Sequence, residues 1–357
     1  MADVEAATTD VLLSVRDLRT QFQTPQGIMR AVDGVSFDLA AGESLGVVGE
    51  SGSGKSVLVR TIMNLLPRNA TVPAPGKVIY KGSDVRSLSP TEAKHFWGTE
   101  MAMVFQDPMT ALNPVKKIGE QLTESIRFHL KLSKKDAVER AVNLMRDVGI
   151  PEPARRLQQY PHELSGGMRQ RVVIAIAIAC EPRLLIADEP TTALDVTVQR
   201  QILDLLARLQ DERQMAMILI SHDLGVVSGM SDRVAVMYAG QFAELAPSQE
   251  LFANVHHPYT EALLDSIPHL ELSSGSRLRT ISGRPPDMHN PPSGCRFAPR
   301  CAHAQAACDE ARPALVTASN PEHAFRCFFP LRIDAGDVAT PAVRPYDCAR
   351  IAVGAAS

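Results

Sequence analysis

Residues Gly49-Glu50-Ser51-Gly52-Ser53-Gly54-Lys55-Ser56 fit the pattern G-x-x-x-x-G-K-[ST] and stand between an apolar run and a helical pattern. Glycines at this spacing let consecutive backbone N–H groups turn toward a chain of phosphates, and the start of the following helix adds its positive dipole end. Lys55 is then placed to neutralise β- and γ-phosphates, and the Ser56 hydroxyl to bind Mg²⁺. A second pair of groups closes an apolar strand: Leu184-Leu185-Ile186-Ala187 runs into Asp188 and Glu189. Asp188 at a buried strand end can hold Mg²⁺, directly or through its water, and Glu189 can orient and polarise an attacking water. A strand followed by an acidic turn is the plain alternative, and these two carboxylates alone do not displace it. Gly76-Lys77 is no second phosphate loop, because Thr71 stands where the first glycine belongs and Val78 follows the lysine.

Cys295, Cys301, Cys308 and Cys327 are spaced C-x5-C-x6-C-x18-C. Structural zinc favours closer C-x2–4-C pairs, so the spacing fits zinc poorly. Four thiolates on a loop-rich scaffold suit an iron–sulfur cluster, whose ligand spacings vary more. Four reduced cysteines, or two disulfides, are the alternatives. His303 and His323 could complete a zinc site, but both read as exposed histidines. Cys180 lies on an apolar helix and reads as core, and Cys348 is an isolated thiol.

Strands alternating with helices must position these groups. Val35–Leu39 alternates and Leu45–Val48 is a buried run; a helix is expected from Lys55 to about Leu66, and strands at 78–79 and 101–105. Ile118–Leu130 and Lys134–Val148 have helical period, Arg169–Cys180 and Val198–Leu209 read as helices, and Leu184–Ala187, Met217–Ile220 and Val234–Tyr238 as strands. This alternation predicts an α/β fold with a mostly parallel sheet. After about Gln241 the composition shifts, and Gly283, Pro285, Pro286, Pro291, Pro292, Gly294 and Pro299 crowd the approach to the cysteines. That stretch reads as loop.

The 357 residues are 45% hydrophobic and 22% charged, which excludes a disordered, collagen-like or coiled-coil chain. Lys and Arg number 37 against 40 Asp and Glu, for a net charge of −3, so a nucleic-acid partner is disfavoured. The most apolar stretch, Val172–Cys180, is far short of the about 20 residues a spanning helix needs, and Met1–Asp10 has no signal-peptide pattern. A cytoplasmic location is expected.

Leu164-Ser165-Gly166-Gly167-Met168-Arg169-Gln170-Arg171 resembles the signature motif of ABC ATPases, and that family's other motifs follow in order around it. Gln106 resembles the Q-loop glutamine, Ala193-Leu194-Asp195 the D-loop and His222 the switch histidine. Phe22 lies where the family places an aromatic ring against adenine; a core strand residue is the alternative. The resemblance implies a RecA-like P-loop ATPase core. It also implies ATP contacts at Phe22, Gly49, Ser51, Gly52, Ser53, Gly54, Lys55, Ser56 and Val57, Mg²⁺ at Ser56, Gln106 and Asp188, and catalytic roles for Glu189, His222 and Gln106. Ser165, Gly166 and Gly167 begin a helix and so offer N–H groups to an anion. In the family this anion is the γ-phosphate of ATP held by a second subunit. With one phosphate loop and one signature per chain, two chains must pair.

The run from Phe105 to Pro114, Tyr160-Pro161-His162-Glu163, the segment His257–Leu264 and the segment Gly294–Cys301 look like the peptide/nickel importer branch, over roughly residues 11–330. That resemblance implies an ATPase domain at 11–240 with a helical subdomain at 107–165, a cysteine-bearing extension at 241–330 and a tail at 331–357. It supports a [4Fe–4S] cluster on Cys295, Cys301, Cys308 and Cys327. It further implies peripheral attachment at the cytoplasmic side of the cell membrane, two permease subunits, an extracytoplasmic binding protein and a second ATPase, a paralogue rather than a copy. Gln106 and the 107–165 helices are expected to receive a cytoplasmic helix from each permease. Di- or oligopeptides are the implied cargo, with nickel or another chelated metal as the alternative. DNA-repair ATPases separate the same motifs by long coiled coil and ribosome-associated ABC factors carry two modules per chain; neither feature occurs here.

Overall fold

A computed structural model of the chain describes residues 11–192, 194–266 and 281–332. Ala193, Cys348 and nearly all of the expected tail lie outside the described residues. The chain divides into two compact units, one of residues 44–86 and 221 onward together with the stretch up to Ala40, the other of 41–43 and 87–220.

In the first unit the strands Val11–Thr24 and Gly27–Ala40 form a long antiparallel hairpin, joined by Lys77–Tyr80, Ser83–Asp84 and Ala70–Thr71. Of these two long strands only Val35–Leu39 is expected from alternation, because bulges near Val15 and Leu18, with Asp17 at φ 40°, break the pattern. This antiparallel sheet is an addition to the expected parallel one. Ser44–Val48, buried at every position, pairs in parallel with Arg233–Tyr238. Arg233–Tyr238 turns back into Gln241–Pro247 through Ala239 and Gly240, both at positive φ, the geometry of a two-residue hairpin turn. Ala324–Phe325 and Val316–Thr317 extend that edge, so the cysteine-bearing segment is stitched to Gln241–Pro247 by backbone pairing.

The second unit holds three parallel strands, Met101–Val104, Leu184–Asp188 and Ala216–Ser221, in register Met101↔Leu184 and Leu184↔Ala216. Every residue of the three is buried, which explains their apolar sequence up to the terminal Asp188 and Ser221. The helix Ile118–Leu130 buries Ile118, Leu122 and Ile126 one turn apart, and Lys134–Asp147 buries Ala137, Ala141, Leu144 and Met145. Ser133 caps the latter by accepting from the Asp136 N–H. Among the described residues no helix is long and apolar enough to cross a membrane.

Candidate functional site

In the first unit, the strand Ser44–Val48 ends at Gly49 and the helix Lys55–Ile62 begins six residues on. The helix stops four residues before the expected Leu66, because Asn64 turns to φ 52°. Gly49 stands at φ 151° and Gly54 at φ 105°; a Cβ would come 2.1 Å from the Met237 carbonyl oxygen at the first and 2.4 Å from that of Ala31 at the second. Close backbone approach therefore forces glycine at both ends of the loop. Lys55 is buried, and its Nζ donates to the carbonyls of Gly49 (2.7 Å) and Glu50 (3.0 Å), curling the loop around its own cation. The helix has no side-chain cap, so its first N–H groups are not spent on one. The Ser53 hydroxyl is buried and makes no hydrogen bond among the described residues. A lysine, an uncapped helix start and an unsatisfied hydroxyl fit the phosphate chain of a nucleotide. Phe22 lies half-buried in the strand Val11–Thr24, and exposed His222 lines one pocket with Val48, Gly49, Leu224, Leu263 and Ser266.

In the second unit Asp188 is fully buried at its strand end. Glu189 follows at φ 44°, its N–H donating to the Ile220 carbonyl at 3.1 Å. One carboxylate oxygen of Glu189 accepts from Gln106 Nε2 and from Thr192 Oγ1, each at 3.0 Å. The structure thus joins Gln106 to Glu189, and adds Thr192, which sequence reasoning missed. Ser165 is exposed and caps the helix Gly166–Ala177, its hydroxyl accepting from the Met168 N–H. The helix thus starts at the signature residues, as their resemblance implies, ahead of the Arg169 start read from the apolar period alone. A Cβ on Gly167 would lie 2.8 Å from Val198 Cγ1, so this glycine admits the neighbouring helix Val196–Arg213. Asp195, also exposed, caps that helix through the Val198 N–H at 3.0 Å.

Cys295, Cys301, Cys308 and Cys327 converge on one small cavity walled by Phe297, Phe328 and Phe329. None is in a disulfide. Burial pushes the thiols of Cys295 and Cys301 up, and that of Cys327 to about 12, with the neighbouring sulfurs adding to the shift. All four cysteines line that cavity, where they could supply thiolates to a cluster larger than a single ion. His303 is exposed as expected and lines the same cavity. His323 is not exposed: it is fully buried, with Nε2 2.7 Å from Glu244 Oε1. Pairing of Ala324–Phe325 with Gln241–Pro247 draws it inward, where Glu244 also accepts from the N–H groups of His256 and His257. It ties the extension to the sheet. The extension also reaches the phosphate loop: Arg300 pairs with Glu50, and Tyr259 Oη accepts from the Glu50 N–H. Neither residue was singled out from the sequence for such a contact.

The first unit carries a glycine loop closed by a lysine, and the second a buried aspartate and a glutamine-held glutamate at strand ends; each is a mark of a P-loop ATPase. The family model described as ABC transporter matches residues 32–192, and that described as oligopeptide/dipeptide transporter, C-terminal region, matches 243–308. The dipeptide transport ATP-binding protein DppD of Bacillus subtilis is 49% identical over 317 residues, 89% of this chain and 94% of that protein. The oligopeptide transport ATP-binding protein OppD of Salmonella typhimurium is 47% identical over 322 residues, 90% of this chain and 95% of that one. The dimeric ATP-binding cassette MJ0796, solved in a post-hydrolysis state with ADP and Pi, superposes with a TM-score of 0.60 at 26% identity, covering 66% of this chain and 99% of that one. The chain belongs to the ABC transporter family of ATPases, in the branch of the peptide transport ATP-binding proteins. It is an ATP-hydrolysing transporter subunit.

Proposed function

We propose that this ATPase drives uptake of di- or oligopeptides across the cytoplasmic membrane, attached peripherally to the cytoplasmic side of two permease subunits and served by an extracytoplasmic binding protein. The observation that carries this is near-full-length identity of about half to relatives named for dipeptide and oligopeptide transport, extension included. Phe105, Met109 and Val115 stand exposed around the Gln106 segment, an apolar surface suited to a permease helix. Purification of the intact complex from its native membrane tests the assignment: permeases and a peptide-carrying binding protein should co-purify, and a binding protein loaded with chelated metal would redirect it.

Within that function, Lys55 neutralises the β- and γ-phosphates, while N–H groups from Gly49 through Val57, including those of Ser51, Gly52, Ser53 and Gly54, wrap them. Phe22 stacks on adenine. Ser56, Gln106 and Asp188 would hold Mg²⁺, which would supply positive charge against the phosphates. Glu189 orients the attacking water; Gln106 and Thr192 fix its carboxylate, and His222 completes the γ-phosphate environment. Ser165, Gly166 and Gly167 offer their helix start to ATP on a second ATPase, a paralogue, with Asp195 facing the same junction. An ATPase domain at 11–240, its helical part at 107–165, and an extension at 241–330 divide the labour.

Cys295, Cys301, Cys308 and Cys327 would hold a [4Fe–4S] cluster, which supplies a rigid cross-link and a redox-active centre. The segment around them is rich in Pro and Gly and has little core of its own, the situation in which small folds rely on a metal. Anaerobically purified protein should be brown with iron and sulfide near about four each per chain. Cys301→Ser should bleach it; stoichiometric zinc would defeat the assignment.

A further inference from the structure

Separated by some 250 positions in sequence, the cysteine loop and the phosphate loop are joined by direct contacts. Arg300, immediately before Cys301, forms a two-pronged ion pair with Glu50, Nη1 to Oε2 at 2.6 Å and Nη2 to Oε1 at 2.9 Å. The Arg300 side chain is only 3% exposed and that of Glu50 26%. Arg300 is braced in turn, donating to the Ser282 carbonyl at 2.8 Å and to Tyr238 Oη at 3.3 Å. The Glu50 N–H donates to Tyr259 Oη at 2.8 Å, and the Glu50 carbonyl accepts from Lys55 Nζ at 3.0 Å. One residue of the phosphate loop is therefore held at its carboxylate, its amide and its carbonyl. Two of those three holds come from outside the loop.

The braces converge on the cysteine cavity. Tyr238 packs against Tyr259 with ring centroids 4.5 Å apart, and both pack against Phe297, which walls that cavity between Cys295 and Cys301. Arg296, next to Cys295, is buried and pairs with Asp33, while donating to the Ala239 carbonyl. The same stretch of backbone includes Ala31, whose carbonyl presses on Gly54. Each of these two cysteines thus has an adjacent arginine that reaches the surroundings of the phosphate loop. A bidentate guanidinium–carboxylate pair fixes orientation as well as distance, so movement of the cysteine loop is transmitted to Glu50.

We propose that Arg300 and Tyr259 are positioning residues for the phosphate loop, through which the cysteine loop sets the affinity for ATP. Neither belongs to the phosphate loop; both act by holding Glu50, and with it the carbonyl against which Lys55 rests. The proposal rests on residues 49–56 being the ATP loop.

The test is binding of a fluorescent ATP analogue with Mg²⁺ to the full-length chain, in single and double variants, with thermal unfolding recorded for each. Arg300→Gln should weaken binding by about 5- to 150-fold, the usual range for coupling between sites, and Arg300→Lys should recover part of the loss. Glu50→Gln should weaken binding similarly, and the double variant Glu50→Gln/Arg300→Gln should be no weaker than either single one, because one interaction is removed twice. Cys301→Ser should weaken binding about 3- to 10-fold in the parent and less than about twofold once Arg300 is Gln. Lys55→Ala separates the possible failures. If Lys55→Ala abolishes binding while Arg300→Gln and Glu50→Gln leave it within twofold, or if Cys301→Ser acts equally with and without Arg300, the positioning role is wrong. If Lys55→Ala leaves binding intact, the ATP-loop assignment itself is wrong and the proposal falls with it.

Discussion

Gln106 Nε2 donates to Glu189 Oε2 at 3.0 Å, and the same oxygen accepts from Thr192 Oγ1 at 3.0 Å. The carboxylate is thus oriented from two sides on a backbone held at φ 44° by the bond from the Glu189 N–H to Ile220. A carboxylate fixed this way suits a base that must meet one water in one place.

Glu189→Gln is expected to keep ATP affinity and lose turnover by about 10²–10⁴-fold, since the base is removed and the phosphate contacts are not. The variant should also accumulate as an ATP-bound closed dimer. Steady-state hydrolysis in the assembled complex and size-exclusion chromatography with ATP check this. Parental turnover would remove Glu189 from the reaction.

Thr192→Val keeps the shape of the side chain and removes the hydroxyl. Loss of one neutral hydrogen bond, about 0.5–1.5 kcal/mol, predicts a kcat lowered by roughly 2- to 12-fold with KM for ATP unchanged. A rise in KM with parental kcat would place Thr192 in nucleotide binding instead.

Gly46 is a packing prediction with no catalytic component. A Cβ there would lie 1.8 Å from Val227 Cγ1, so Gly46→Ala should cost about 1–3 kcal/mol through overpacking. Adding Val227→Ala should return part of the loss, and urea unfolding of the four proteins measures the coupling. A stable Gly46→Ala single variant would contradict the close packing of the strand Ser44–Val48.

Sequence legibility followed the reach of each interaction. Ile118–Leu130 was readable to the residue because its apolar period is local, and the phosphate loop because its glycines and lysine fall within eight consecutive residues. Thr192 was not, since a hydroxyl three residues after a glutamate is commonplace. Arg300 and Tyr259 were invisible because their partner, Glu50, is 250 and 209 positions away. His323 was misread as exposed for the same reason: Glu244, which draws it into the interior, lies 79 positions earlier.

Stability should fall on the acid side through His257. Its imidazole is buried, which pulls its pKa down to about 4 against the opposing charge of Glu244. The unfolded chain takes up a proton near about pH 6.5 and the folded chain only near about 4, so stability drops as pH falls through that window. Protonation at Nδ1 would also break the bond this atom accepts from the Tyr259 N–H at 3.0 Å. His257→Asn supplies a helix cap that does not titrate, so it should show a shallower loss between pH 7.5 and 5 in urea unfolding. Parallel losses in parent and variant would exclude His257 as the source.

The proposed function couples ATP hydrolysis by this chain to peptide import. Its most direct measurement is simultaneous ATP hydrolysis and labelled-dipeptide uptake in vesicles carrying the complete complex with its binding protein. Peptide-loaded binding protein should raise both rates, and Lys55→Ala or Glu189→Gln in this chain should abolish both. Hydrolysis raised by a chelated metal and not by peptide, or peptide uptake that persists in both variants, would contradict it.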